Sequence, residues 1–217
     1  MNQIKRSVLA AAAIVALCGF QRTVAQQPAK TWSQDEGVRI MTEVQKKLTR
    51  LDHYGVFDWL TFGIQGKTVV LKGYASRPLL KDEASQSVKG IAGVESVDNQ
   101  IEVLPLSPSD DRIRASAYNR IYTNSALSRY NANQGSLARA LGPGGRRSEL
   151  MAGGITNDPP LGYHAIHVIV KNGHLILFGL VSNETDAAIA GMMANGTPGA
   201  FSVDNDIIAE HSKLAMK

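Results

Sequence analysis

The chain has 217 residues, 44% hydrophobic and 19% charged, with 23 basic against 19 acidic side chains and a single cysteine. So small an excess of positive charge gives little support to nucleic-acid binding, which rests on neutralising phosphates with Lys and Arg. One cysteine rules out a disulfide framework within the chain and a multi-cysteine metal site.

Residues 1–25 read as a secretory signal. Lys5 and Arg6 form a positive start, an apolar run extends from Val8 to Phe20, and Thr23-Val24-Ala25 supplies the small residues that precede cleavage before Gln26. The apolar run falls short of the roughly 20 residues a membrane span needs. Leu17 is too bulky for the position before a lipid-modified cysteine, so Cys18 is expected to leave with the signal. Cleavage also removes Lys5, Arg6 and Arg22 but no acid, which leaves a net charge of +1 and no cysteine.

After a linker at 26–33, the chain repeats itself at a spacing of 106 residues. Leu71, Gly73, Ser76, Ala84, Gly90, Gly93, Val97, Asp98, Asn99 and Ile101 meet identical partners in Leu177, Gly179, Ser182, Ala190, Gly196, Gly199, Val203, Asp204, Asn205 and Ile207. The first copy is assigned to 34–105. Val38, Met41, Val44, Leu48 and Leu51 describe an amphipathic helix over 34–51. Leu60, Phe62 and Ile64 alternate, as do Val69 and Leu71, around Gly66-Lys67, which predicts a β-hairpin. Ser76 is expected to cap a second helix carrying Leu80, Ala84, Val88 and Ile91 on one stripe. Gly93 ends the following turn, and 97–103 alternates as a last strand.

A linker at 106–109 leads to the second copy, 110–210. Ile113, Ala117 and Ile121 share a helix face over 110–122. Ile166, Val168 and Val170 run into Asn172-Gly173, a strong hairpin dipeptide. Residues 175–181 return, Ser182 is expected to cap the next helix, and 203–209 closes the sheet. Residues 211–217 form a tail. The fold class is therefore α+β: two tandem αββαβ domains, each with two helices on a three-stranded mixed sheet.

The run from Val168 to Ser182, followed by Gly199 and Val203-Asp204-Asn205, resembles a BON domain. Gly73, Gly93-Val94 and Val97-Asp98-Asn99 carry the same resemblance in the first copy. Tandem BON proteins of this kind, among them osmotically inducible ones, are exported to the periplasm. The resemblance implies binding to anionic phospholipid surfaces or to envelope partners, and a part in withstanding envelope stress. The motif is made of glycines and apolar positions and so specifies a fold better than an activity. Gly66-Lys67 departs from the Asn-Gly pair of the second hairpin, a change of turn detail.

The second copy differs by an insertion of about 31 residues within 123–162. Arg129, Arg139, Arg146 and Arg147 make it locally basic against Glu149 and Asp158. A basic loop of this kind suits anionic headgroups, at about 1 kcal/mol per cation near a charged surface; a solvated, functionless loop is the alternative. The outer face of the second hairpin is also unusual, because Ile176, Phe178 and Leu180 are apolar where the first copy has Val70, Lys72 and Tyr74. A strand apolar on both sides is expected to be covered on both, by the insertion, the other domain, or an envelope protein or peptidoglycan partner.

The remaining residues assemble no catalytic or cofactor signature. His164 and His167, three apart on a strand, are expected on opposite faces and not to share a metal. Gly142-Pro143-Gly144-Gly145 lacks the flanking strand and Gly-Lys-Ser/Thr of a phosphate loop. No serine sits in a nucleophile elbow. Asp98-Asn99 and Asp204-Asn205 are read as turn-shaping residues. Gly73, Gly93, Gly173, Gly179 and Gly199 are read, with Asn172, as positions of tight turning. The expectation is a non-catalytic binding protein with no cofactor, metal, nucleic acid or small-molecule substrate.

Overall fold

The computed structural model describes residues 31–131, 161 and 164–210. The expected signal, the tail and most of the insertion lie outside these residues. Ser33 opens α1 (Gln34–Leu48) through a capping box: its hydroxyl accepts from the Glu36 N–H, and the Glu36 carboxylate accepts in return from the Ser33 N–H. The helix stops short of Leu51, where the Thr49 hydroxyl turns back to donate to the Gln45 carbonyl at 3.0 Å. Its core face keeps Val44, Leu48 and the packed Leu51 of the expected stripe but takes Ile40 in place of Val38 and Met41. Ile40, Val44 and Leu48 are buried, whereas Val38 and Met41 are 54% and 41% exposed. The four-residue step from Ile40 tracks one side of the helix, and Val38, two residues away, lies on nearly the opposite side.

β1 (Trp59–Gln65) and β2 (Thr68–Ala75) form the antiparallel hairpin, with Gln65 opposite Thr68. Gly66 takes a φ of +63° there, as a Gly-x hairpin turn requires of its first residue. α2 (Pro78–Lys89) buries Leu80, Ala84 and Val88 and crosses back, so that β3 (Ser96–Asn99) and β4 (Glu102–Val103) both lie parallel to β2. The expected single last strand is thus broken. The Asn99 Oδ1 accepts from the Ile101 N–H at 3.3 Å, which draws that group out of the ladder.

The second unit repeats the plan. α3 (Pro108–Tyr122) begins two residues earlier than expected, capped by the Ser107 hydroxyl. β5 (Ile166–Lys171) and β6 (His174–Val181) pair through Asn172-Gly173, both at positive φ, 53° and 79°. α4 (Glu184–Asn195) then returns the chain to β7 (Ser202–Ala209), parallel to β6 along its whole length. The sheet orders are β1-β2-β3, with β4 also on β2, and β5-β6-β7. Each is the mixed sheet of an α+β domain.

Neither expected serine cap is used. Arg77 stands at the N-cap of α2 without a side-chain bond, and Asn183 caps α4 by accepting from the Asp186 N–H. The serines sit one residue too early, and their N–H groups are engaged elsewhere: Ser76 donates to Asp58 Oδ1 at 2.6 Å and Ser182 to the Tyr130 hydroxyl at 3.0 Å.

The two cores are built alike but not from strictly separate stretches of chain. Ile40, Val44, Leu71, Leu80 and Val88 centre the first; Ile113, Tyr118, Ile121, Leu175 and Leu177 centre the second. Val56 and Phe57, in the connection between α1 and β1, are buried in the second core, where Phe57 meets the Tyr118 ring edge-on at 6.0 Å. That connection occupies in the first copy the place of the insertion in the second.

Candidate functional site

The duplicated glycines and asparagines form the scaffold beneath the surfaces. Gly73 and Gly179 have φ of +118° and +143°, and a Cβ on either would run into a backbone carbonyl, of Trp59 and Ala165 respectively. Gly93 and Gly199 also sit at positive φ. Asn99 and Asn205 do more than shape a turn. Each side-chain amide donates at 2.8 Å to a helix carbonyl, Lys81 on α2 and Ala187 on α4, pinning the last strand to the crossover helix. The hairpin tip at Asn172-Gly173 is held by buried Asp110, whose carboxylate accepts both turn N–H groups at 2.8 and 2.9 Å.

Above that scaffold, the apolar outer face of the second sheet meets the first domain. Phe178 stacks on Trp59 with centroids 5.3 Å apart and planes 2° from parallel, and Tyr74 flanks it at 6.2 Å. Trp59 and Tyr74 are opposite one another across the first hairpin, so one hairpin face supplies both rings. Lys171 and Glu102 form an ion pair at 2.6 Å at the margin of this contact. Ile176 is half-buried, while Leu180 is 42% exposed beside its strand neighbour Ile208, 63% exposed.

Two histidines are buried at the same junction. They do not diverge to opposite sides as expected: their ring centroids are 6.5 Å apart. His164 precedes β5, so strand alternation does not govern its direction. His167 lies between the Tyr54 and Trp59 rings, each 5.2 Å away. Burial, with the neighbouring His164 next, pushes the His167 imidazole down to about 3. Among the described residues, no group of three or more His, Cys, Asp or Glu is placed to hold a metal ion.

The basic residues of the insertion divide between described and undescribed segments. Arg139, Arg146 and Arg147 lie outside the described residues. Arg129 is in the short 3-10 turn Ser128–Tyr130 and pairs with Asp186 at the start of α4. The Tyr130 hydroxyl donates to the same carboxylate at 2.5 Å, and the Asn183 amide at 2.9 Å. Although burial works against it, these bonds from Tyr130 and Arg129 hold the Asp186 carboxyl below its ordinary range. The root of the insertion is therefore tied to α4, and Arg129 is committed to that tie.

A cationic site overlooked in the sequence lies in the first domain. A cleft of 440 Å³ between α1 and α2 is lined by Glu43, Lys46, Lys47, Arg50, Leu51 and Ser87. Glu43 is engaged with Arg39 at 3.2 Å, and no acid among the described residues pairs with Lys46, Lys47 or Arg50. Both lysines are in the last turn of α1, where the helix dipole favours positive charge. The spacing Lys46-Lys47-x-x-Arg50 was legible, but nothing in it announced a concavity; α2, packed alongside, creates that.

Comparison with known families bears directly on this duplicated architecture. The family model of the BON domain matches residues 63–105 and 153–210. Two segments of the chain, one in each copy of the repeat, therefore match the same family model. The first match begins inside β1 and the second upstream of β5, so each takes in a hairpin, a crossover helix and the returning strand or strands. No curated protein matches the chain. Among solved structures, the chain is similar to the C-terminal domain of CdsD, the structural protein of the type III secretion system of Chlamydia trachomatis. That similarity has 16% identity and a TM-score of 0.23, covering 82% of this chain and 98% of that one. A second CdsD structure aligns at 15% identity and a TM-score of 0.23, with 84% and 95% covered. Among the described residues, no helix is long and apolar enough to cross a membrane.

Proposed function

We propose that this tandem BON protein is an exported, non-catalytic protein of the periplasm that binds the headgroup surface of anionic phospholipid. Its role is to protect the envelope under stress, including osmotic stress. The observation that carries the reading is the α1–α2 cleft, where Lys46, Lys47 and Arg50 face outward without acidic partners. Three cations near an anionic leaflet are worth about 3 kcal/mol together, at about 1 kcal/mol each. Arg139, Arg146 and Arg147 of the insertion add to this attraction. Arg129 contributes little, because Asp186 already neutralises it.

Co-sedimentation with anionic and zwitterionic vesicles, at low and physiological salt, tests the reading. Binding is expected to anionic vesicles alone and to weaken with salt, since exposed charges are screened. A Lys46→Ala, Lys47→Ala, Arg50→Ala triple variant should lose most of it; an Arg139→Ala, Arg146→Ala, Arg147→Ala variant should lose a smaller share. Equal recovery with and without vesicles would refute it. A second reading is an adaptor that grips another envelope protein or peptidoglycan through the second domain. It is favoured by the exposed neighbours Leu180 and Ile208, beyond the part of the sheet that Trp59 and Tyr74 cover. Such binding would resist salt and fail in a Leu180→Asp, Ile208→Asp variant.

A further inference from the structure

The junction between the two domains is built around one imidazole. The His167 Nδ1 lies 3.2 Å from the Gly55 carbonyl and its Nε2 lies 3.3 Å from the Tyr54 hydroxyl, both across the junction. A carbonyl only accepts, so Nδ1 carries the hydrogen, and in the neutral ring Nε2 then accepts from the Tyr54 hydroxyl. The next residue continues the tie, with the Val168 N–H donating to the Val56 carbonyl at 2.8 Å. Residues 54–57 are thus clamped along the edge of β5 while Trp59 and Tyr74 lie over its outer face.

We propose that His167 is an acid-sensitive latch between the domains. Neutral, it clamps residues 54–57 to β5; protonated, it releases them and uncovers the rings of Trp59, Tyr74 and Phe178. The groups around it favour release. His164 stands 6.5 Å away and is itself buried, with Tyr122 behind it at 6.1 Å. Tyr54 and Trp59 enclose the ring from the first domain, and Phe178 and Tyr74 lie beyond Trp59. The nearby carboxylate, Asp58, already accepts from the N–H groups of Gly55 and Ser76 at 3.0 and 2.6 Å. Among the described residues, a charge formed on His167 therefore meets a second imidazole, tyrosine rings and a carboxylate already accepting two N–H groups, in a buried setting.

The sign follows from linkage. The enclosed ring takes a proton only near pH 3, whereas a solvated imidazole does so near 6.5. The closed form is at full strength above pH 6.5. Below it the closed-to-open ratio falls about tenfold per pH unit until the enclosed ring itself titrates. The latch does not depend on the lipid reading, because it concerns only the two domains.

Amide hydrogen exchange on the whole protein between pH 7 and 4.5, corrected for the intrinsic pH dependence of exchange, tests it. Protection at Val168 should fall by roughly 100-fold over that range, while Leu177, inside the second sheet, keeps its protection. A His167→Gln variant, neutral at every pH, should show no such fall. Constant protection at Val168, a parallel loss at Leu177, or an unchanged response in the variant would each overturn the latch. Should the variant not fold, small-angle scattering of the unmodified protein decides. A radius of gyration that grows on acidification with unchanged far-ultraviolet dichroism supports release, and a constant radius refutes it.

Discussion

Replacing Gly179 with alanine tests the duplicated scaffold at its tightest point. At φ +143° an alanine is strained, at a cost of about 1–3 kcal/mol. Its Cβ would also fall on the Ala165 carbonyl oxygen, 2.9 Å from the carbonyl carbon and 3.1 Å from the Ile166 Cα. These are backbone atoms, so no rotamer change relieves the clash. The strand must move, and the Leu180 N–H to Ala165 bond, 3.0 Å long, is lost with it, for about another 1 kcal/mol. The expected destabilisation is about 2–4 kcal/mol. Urea unfolding followed by circular dichroism should show it as a lower midpoint with unchanged slope. Gly37 supplies the control: nothing lies within 4 Å of its would-be Cβ inside α1, so Gly37→Ala should gain up to about 1 kcal/mol. A Gly179→Ala protein within 1 kcal/mol of the parent would refute the reasoning, since neither the strain nor the clash would then be real.

Asp110→Ala removes the acceptor of two turn N–H groups in a buried position and should cost about 2–3 kcal/mol in thermal unfolding, as charge-assisted bonds do. Arg129→Ala should cost under about 1 kcal/mol, because the arginine is more than half exposed and Asp186 keeps its bonds from Tyr130 and Asn183. Tyr130→Phe should cost more than Arg129→Ala in the same denaturation assay. Its hydroxyl both donates to Asp186 and accepts from the Ser182 N–H, and these groups are left without it.

Much of the fold was present in the sequence because the relevant signals are local. The 106-residue repeat, the Asn172-Gly173 turn and the alternation around each hairpin report backbone conformation and burial face, which a short stretch of chain determines by itself. Gly73 and Gly179 stood out for the same reason, since positive φ is a property of one residue. The expected caps failed by one residue, because Arg77 and Asn183 take the N-cap positions while Ser76 and Ser182 stand one residue outside, their N–H groups held by Asp58 and Tyr130. The face of α1 was right at Val44 and Leu48 but wrong at Val38 and Met41, which share the apolar character of Ile40, and only the position of the sheet chooses between them.

The candidate sites depended far more on tertiary structure. The apolar row Ile176, Phe178, Leu180 was visible, but only docking of Trp59, more than a hundred residues away, decides that Phe178 is covered while Leu180 stays half open. Arg129 read as a loop cation until Asp186, brought up by α4, neutralised it. Lys46, Lys47 and Arg50 were ordinary surface charges until α2 walled them into a cleft. His167 read as an unremarkable strand residue, yet its chemistry comes from Tyr54, Gly55 and His164 closing around it. Periodicity records which way a side chain points along its own element. What it meets there is decided by distant segments, and charge, desolvation and ring stacking act only at contact.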